Sequence, residues 1–194
     1  MRFSENLISW YNVSKRDLPW RKTQDPYKIW LSEIILQQTK VSQGMPYYLK
    51  FIKHFPNILA LANSNEDHVL KLWQGLGYYS RARNLHFTAK FIRDNYNGIF
   101  PNNYKEILAL KGVGLYTAAA ISSFSFNLSY PVVDGNVIRV LSRVFGIESE
   151  FDTGPGFKKF YHLAREMLPE HDYATHNQAI MEFGALQCKP KLPL

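Results

Sequence analysis

Apolar residues recur along most of the chain at intervals of three and four, which is the spacing of one face of an α-helix. One such stripe runs over Tyr78–Tyr96, and Gly98 stands where a helix C-terminus is expected. A second stripe runs over Val137–Val144 and ends before Gly146. No segment shows the sustained alternation of a β-strand. The pattern predicts an all-α fold of roughly eight to eleven short helices.

Three further signals predict where helices begin and break. The pattern is helical over Trp30–Phe55, but Pro46 has no N–H to donate, so we expect it to divide this segment in two. Ser64 and Asp67 have the spacing of a capping box before a short helix. Pro155 suits the first turn of a later helix because its fixed φ is already helical.

Composition narrows the class of protein. Hydrophobic residues make up 46% of the 194 residues, which is enough for a core. The formal net charge of +7 favours a polyanionic partner, either nucleic acid or an anionic membrane surface. The apolar runs are too short to span a bilayer, and the first residues lack a signal-peptide core. We therefore expect a soluble, cytoplasmic protein. We also expect it to act as a monomer and to have no membrane partner.

The segment Leu110–Ala118 reads LKGVGLYTA and lies between two helical stretches, Tyr104–Leu110 and Tyr116–Phe124. Glycines on both sides of one valine allow a tight reversal with positive φ, and the valine can fill the space between the helices. The N–H groups of Gly112, Gly114 and the next helix start would then face outward and bind phosphate whatever the DNA sequence. A turn that needs glycine only for steric reasons is the alternative. The basic chain and the flanking helices favour a helix-hairpin-helix DNA-binding motif.

Two acidic residues have surroundings that suit acid–base chemistry. Glu33 lies within the apolar run Trp30–Leu36, and a carboxyl in apolar surroundings has a raised pKa. Asp134 directly precedes a predicted helix, where it would cap the helix and stay ionised. A surface position is the alternative for Glu33, and capping alone is the alternative for Asp134. Two carboxyls in contrasting environments are the pattern for glycosidic cleavage, in which one protonates the leaving group and the other faces a sugar cation.

Several strings together are similar to the catalytic domain of the MutY family of adenine DNA glycosylases, within the helix-hairpin-helix superfamily. They cover essentially the whole chain and follow the order of that family. The strings are LPWR (18–21), DPYKIWLSEIILQQT (25–39), WQGLGYYSRARNL (73–85), LKGVGLYTAAAI (110–121), VDGNVIRVLSR (133–143) and NQAIMEFGALQC (177–188). The resemblance implies two helical subdomains with a DNA-binding cleft. A barrel-like subdomain with the hairpin would span residues 19–128, and the second would join residues 1–18 to 129–194.

The resemblance also assigns catalytic roles. Glu33 would protonate the departing adenine at N7, Asp134 would stabilise or capture the sugar cation, and the two would meet across the cleft. Asn136 would help to position the hydrolytic water, and Tyr116 would support that step. In bifunctional relatives similar to endonuclease III, a lysine replaces this tyrosine and attacks the sugar. Tyr116 therefore predicts a glycosylase without efficient strand cleavage.

Further residues would contact the flipped base and the DNA. The base pocket implied by the resemblance consists of Trp20, Arg21, Leu36 and Gln178. Gln38 and Tyr78 would fill the gap that a flipped base leaves in the duplex. Core packing is the alternative for Trp20 and for Tyr78. The hairpin residues implied to contact phosphate are Lys111, Gly112, Val113 and Gly114. Four arginines are further candidates for phosphate contacts, although a solvated face would look the same: Arg81, Arg83, Arg139 and Arg143.

Members of the family usually carry a 4Fe-4S cluster on four cysteines, and here Cys188 matches the first while the other ligands are absent. One thiolate cannot hold such a cluster, so we expect none on this chain, which would be either a piece of a longer protein or a cluster-less variant. The expected partner is duplex DNA with adenine opposite 8-oxoguanine or guanine, in base excision repair at the nucleoid. A thymine or uracil mismatch glycosylase and a catalytically silent DNA-binding fragment are the alternatives.

Overall fold

The computed structural model describes residues 2–193, and this part of the chain folds into eleven α-helices and one 3-10 turn, Pro19–Arg21, without a β-strand. The prediction of an all-α fold is confirmed. The helices are α1 (Arg2–Ser14), α2 (Pro26–Leu36), α3 (Val41–His54), α4 (Ile58–Ala62), α5 (Glu66–Trp73), α6 (Ser80–Tyr96), α7 (Tyr104–Ala109), α8 (Leu115–Phe126), α9 (Gly135–Phe145), α10 (Gly154–Glu166) and α11 (Tyr173–Leu186). None of the helices in the described part is both long and apolar enough to cross a membrane.

Polar side chains and left-handed residues set most helix ends. Asp25 caps α2 by accepting the N–H of Tyr27 at 3.0 Å. At the C-terminus of α6, Asn97 takes a left-handed φ of 52°, and Gly146 does the same for α9 with a φ of 63°. These ends lie where the glycine positions predicted them, because left-handed residues offer their N–H to the last free carbonyls of a helix.

Two predicted features were wrong. Pro46 lies inside α3 without dividing it, and the break falls earlier, over residues 37–40. Pro46 and Ser42 are both exposed, so water can reach the carbonyl that the proline leaves without a donor. The cap of α5 is Asn65, whose side chain accepts the N–H of His68 at 2.8 Å. Ser64 instead donates its hydroxyl to the Asn65 carbonyl, at 3.2 Å.

The chain divides into two compact units. The first, which we call the inserted unit, is Pro19–Ile121, and the terminal unit combines Met1–Leu18 with Ser122–Leu194. The core of the inserted unit contains an aromatic pair: Trp73 packs edge-on against Phe51, with ring centroids 5.6 Å apart, and both are fully buried. Such pairs stabilise a core beyond the apolar area that they bury.

The terminal unit has an apolar core and a buried ion pair. Val140 and Leu141 of α9 are fully buried together with Phe160 of α10. Glu182 of α11 is fully buried and accepts from Arg16 at 2.6 Å and 2.9 Å. This two-pronged contact joins α11 to the residues that follow α1, and it supplies the partner that a buried carboxylate needs.

Candidate functional site

The hairpin segment lies between α7 and α8. Gly112 has a φ of +82°, and a Cβ there would come within 2.9 Å of the Asn84 side chain, so both conformation and space require glycine. Val113 is buried, as expected for the residue that packs the turn, and its N–H donates to the Leu110 carbonyl at 3.1 Å. The Val113 amide is therefore engaged within the turn, which argues against the predicted phosphate contact at this residue.

Gly114 differs from Gly112 because nothing in residues 2–193 requires a glycine there. Its φ is not positive, and an added Cβ would meet no atom of these residues within 4 Å. It directly precedes α8, and its carbonyl accepts the Ala118 N–H at 2.8 Å. The first N–H groups of a helix have no acceptor within the helix, and the helix dipole favours an anion at this end. The missing side chain leaves room for a large anion to approach these amides.

We expect Gly114→Ala to weaken DNA binding and Gly112→Ala to lower stability. Gly114→Ala should change the free energy of unfolding by less than about 0.5 kcal/mol, yet weaken duplex DNA binding about tenfold by blocking the approach of a phosphate. Gly112→Ala should lower the free energy of unfolding by about 1–3 kcal/mol through backbone strain. Thermal melts and fluorescence anisotropy with duplex DNA measure the two effects. Unchanged DNA affinity in Gly114→Ala would contradict a phosphate site at this helix start.

Glu33 lies on α2 within the inserted unit. It is half-buried, while its neighbours Trp30 and Ile34 are buried and Trp30 has no exposed surface. Glu33 is therefore a partly exposed acidic residue on a helix whose neighbouring residues are buried and apolar. A carboxyl in this position can exchange its proton with a ligand bound against α2.

Asp134 is the N-cap of α9 in the terminal unit. Its Oδ1 accepts the N–H groups of Asn136 and Val137, both at 2.9 Å, and its Oδ2 accepts from Asn136 Nδ2 at 2.7 Å. Asn136 Oδ1 in turn accepts from Arg139 Nη2 at 2.8 Å. The capping role is confirmed, and three donors hold the carboxylate in one orientation while it remains half-buried. Asn136 uses both ends of its amide to fix this orientation.

Arg139, which is half-buried, and Arg143, which is exposed, both contact the segment that follows α11. Arg139 donates to the carbonyls of Gly184 at 2.7 Å and Cys188 at 2.6 Å. Arg143 donates to the Lys189 carbonyl at 2.7 Å and lies 3.3 Å from Cys188 Sγ. These contacts give both arginines acceptors within the chain, and their binding to phosphate stays a prediction. The other two arginines predicted to contact phosphate differ in exposure, because Arg83 is exposed beside Glu66 whereas Arg81 is buried.

The residues present do not fit a four-cysteine cluster. Cys188 is buried and is the one cysteine of the sequence. Within residues 2–193, no group of three or more histidine, cysteine or acidic side chains is arranged to hold a metal ion. A 4Fe-4S cluster is held by four cysteine thiolates, and Cys188 supplies one thiol, so it cannot form this site alone.

Gln38 and Tyr78 share an unusual backbone conformation. Their φ angles are 54° and 48°, in the left-handed region that non-glycine residues seldom adopt. Both are exposed, and 65% of the Tyr78 surface is accessible, so the alternative that Tyr78 packs in the core is wrong. The helical stripe predicted to start at Tyr78 begins at Ser80 instead. Arg81 follows, and burial lowers the pKa of its guanidinium from the ordinary value.

The residues predicted for a base pocket have varied surroundings. Trp20 is 7% exposed and packs edge-on against Tyr48, with centroids 5.1 Å apart, which is the core packing of the alternative interpretation. Leu36, at the end of α2, lies against Gly44. In the terminal unit, Gln178 accepts the Tyr11 hydroxyl at 2.7 Å. Arg21, the fourth residue of the predicted pocket, is half-buried. Tyr116, which was predicted to support hydrolysis, is half-buried as well. The pocket remains a prediction.

Comparisons with known proteins give a consistent result. An adenine DNA glycosylase of Buchnera aphidicola (from Acyrthosiphon pisum) is 44% identical over 193 residues, which is 97% of this chain and 55% of that protein. An adenine DNA glycosylase of Rattus norvegicus is 40% identical over 201 residues, covering 99% of this chain and 39% of that protein. The chain thus spans about half or less of the length of these relatives.

The fold also matches solved structures. A thermostable thymine-DNA glycosylase superposes with a TM-score of 0.89 at 31% identity, covering 99% of this chain and 88% of that one. A non-covalent endonuclease III–DNA complex superposes with a TM-score of 0.81 at 18% identity, which shows a shared fold. Residues 31–168, most of the chain, match the family described as HhH-GPD superfamily base excision DNA repair protein. The chain therefore belongs to the HhH-GPD superfamily.

Proposed function

We propose that this chain is a DNA glycosylase that hydrolyses the N-glycosidic bond of adenine mispaired with 8-oxoguanine or guanine in duplex DNA. The observation that carries this proposal is the 44–45% identity to adenine DNA glycosylases over nearly the whole chain. The thymine-DNA glycosylase is less similar, at 31% identity, although its fold is the same. This difference favours adenine over thymine as the base released.

The hairpin supplies the DNA contact in this proposal. The net charge of +7 attracts the duplex, and the amides at the start of α8 hold a phosphate where Gly114 leaves room. Contacts of this kind fix the protein on the backbone without reading the sequence. Recognition of the mispair must then come from residues that touch bases, for which Gln38 and Tyr78 are the exposed candidates.

Glu33 and Asp134 carry the chemistry in this proposal. Glu33 donates a proton to N7 of adenine, so the base departs as a neutral molecule when the bond to C1′ breaks. Asp134, held by three donors, faces the oxocarbenium-like sugar and stabilises its positive charge. A water oxygen then bonds to C1′, and its proton passes to a carboxylate. Tyr116 has no amine to form a Schiff base with the sugar, so strand cleavage does not follow.

Single-turnover assays on a panel of mispaired duplexes test the proposal. We expect release of adenine from A·8-oxoguanine and A·G duplexes, no release of thymine from T·G, and no covalent adduct with an abasic duplex in the presence of borohydride. Release of thymine alone would establish the thymine alternative. Salt-dependent duplex binding without release of any base would show a silent DNA-binding fragment. A strong borohydride adduct would contradict the assignment of Tyr116.

A further inference from the structure

Arg81 is a buried arginine whose guanidinium joins two segments far apart in sequence. It is 9% exposed, although the sequence placed it among surface arginines. Its Nη1 donates to the carbonyls of Ile34 at 3.1 Å and Ile35 at 3.0 Å, and also to the carbonyl of Gln37. The first two acceptors belong to the last turn of α2, and the third directly precedes Gln38.

These acceptors are groups that the helix itself leaves unused. The last four carbonyls of an α-helix have no N–H partner within the helix, and the helix dipole makes this end negative. A cation with several donors therefore binds there strongly. By taking the carbonyls of Ile34, Ile35 and Gln37, Arg81 fixes the path of the chain as it leaves α2 and enters the left-handed conformation at Gln38.

The other side of the guanidinium holds the segment before Tyr78. Arg81 Nη2 donates to the carbonyls of Leu76 at 3.3 Å and Gly77 at 3.4 Å. The Gly77 carbonyl also accepts from Trp73 Nε1, at 3.0 Å. The guanidinium carbon lies 5.2 Å from the Trp73 ring centroid and 5.6 Å from that of Tyr78, within the range of cation–π attraction.

One guanidinium thus supports both exposed left-handed residues, Gln38 and Tyr78. Sparsely populated backbone conformations persist only where their surroundings fix them, and they cluster at functional sites. The two residues project from a common support although forty positions separate them in the chain. An arrangement fixed in the free protein does not have to be ordered again when a ligand binds.

We propose that Arg81 is a positioning residue that holds Gln38 and Tyr78 ready to fill the space left by a flipped nucleotide. This inference rests on the proposed function, because it assigns a purpose to the support in base flipping. Arg81 touches neither the base nor the sugar in this scheme. It acts on the reaction through the two exposed residues that it holds.

Arg81→Lys tests the proposal, with Arg93→Lys as the matched control on the same helix, because Arg93 contacts Asp94, Ala62 and Asn63 and none of the residues assigned to the site. Lysine keeps the charge but has one nitrogen, so it cannot reach both segments with the fork of an arginine. We expect Arg81→Lys to slow single-turnover adenine release on the order of tenfold to a hundredfold, and to reduce the fluorescence rise of a 2-aminopurine beside the target. Affinity of Arg81→Lys for fully paired duplex, and both readouts in Arg93→Lys, should match the wild type.

A double-mutant comparison separates positioning from general destabilisation. In a Gln38→Ala/Tyr78→Ala background, Arg81→Lys should cause no further loss of rate, because the residues through which it acts are already absent. An equal loss in both backgrounds, or no loss in the wild-type background, would overturn the proposal. Thermal melts of every variant show whether each one is folded.

Hydrogen exchange in the free wild-type protein gives an answer that requires neither a folded variant nor catalysis. The amides of Thr39 and Leu76 donate to Leu36 and Trp73 within the two supported segments. We expect both amides to exchange as slowly as those of the adjacent helices. Rapid exchange at either amide would overturn the proposal, since the segments would then not be preset. If the wild type releases no base, the proposed function fails, and the exchange result still decides whether the support exists.

Discussion

Replacement of Asp134 by asparagine is expected to lower the single-turnover rate of adenine release on the order of 10³-fold. The neutral amide cannot stabilise the positive charge that develops on the sugar. Asparagine is itself a favoured N-cap, so α9 should still begin at Gly135. The variant therefore separates the charge of Asp134 from its capping role. Base release under excess enzyme and thermal melting are the measurements.

The hydrogen-bond network around Asp134 provides the control. An asparagine at this position would turn its NH2 group towards Asn136 Nδ2, and Arg139 prevents Asn136 from turning its amide around. We expect this donor–donor contact to cost about 1–2 kcal/mol in the free energy of unfolding. Asp134→Asn/Asn136→Asp restores a donor and an acceptor to each other, so the melting temperature should recover while the rate stays low. Recovery of the rate together with the melting temperature would show that Asp134 acts only through the fold.

The features predicted well from the sequence are those that short segments determine. The cap at Asp134, the tight turn at Gly112 and the end of α9 at Gly146 each depend on a few neighbouring residues. Helical periodicity likewise reports a local property, since each apolar stripe only requires some core to cover it. The strings also indicated the superfamily, because their order and spacing are specific, and the match over residues 31–168 confirms that membership.

The intramolecular contacts of the arginines were not predicted from the sequence, because they depend on distant parts of the chain. Arg81 binds carbonyls more than forty positions away, and Arg139 binds those of Gly184 and Cys188 at a similar separation. An arginine in a basic chain looks the same in sequence whether it faces solvent, DNA or a helix C-terminus. The sequence did contain one signal for Arg81, because this residue directly precedes Ala82, which belongs to the apolar stripe of the predicted helix. A charged residue there needs acceptors from elsewhere in the fold.

Pro46 shows a different reason for failure. The rule that proline breaks a helix concerns the hydrogen bond that it removes and the crowding that it causes, and both depend on exposure. In α3 the proline is exposed, while Tyr48 and Phe51 on the same helix are buried. Burial of these aromatic side chains outweighs the loss of one solvent-exposed hydrogen bond. Composition alone does not reveal which face of the helix the proline will occupy.

Replacement of Glu33 by glutamine is expected to lower adenine release about 10²–10⁴-fold, because an amide cannot deliver a proton to the departing base. The substitution keeps the size of a half-buried side chain, so the variant should remain folded, which a thermal melt checks, and its affinity for fully paired duplex should change little. Glu66→Gln is the matched control. Glu66 is exposed, and it forms an ion pair with the exposed Arg83. That variant should release adenine at the wild-type rate.

The double variant Glu33→Gln/Asp134→Asn asks whether the two carboxyls serve one reaction. They belong to different units of the chain, so the description of each unit does not show that they act in the same reaction. Residues that act on the same transition state lose activity in a strongly non-additive way, because once one is absent the other has less to stabilise. We therefore expect the double variant to be scarcely slower than the slower single variant. A rate in Glu33→Gln equal to that of the wild type would remove Glu33 from the mechanism, and fully multiplicative losses would mean that the two carboxyls contribute independently.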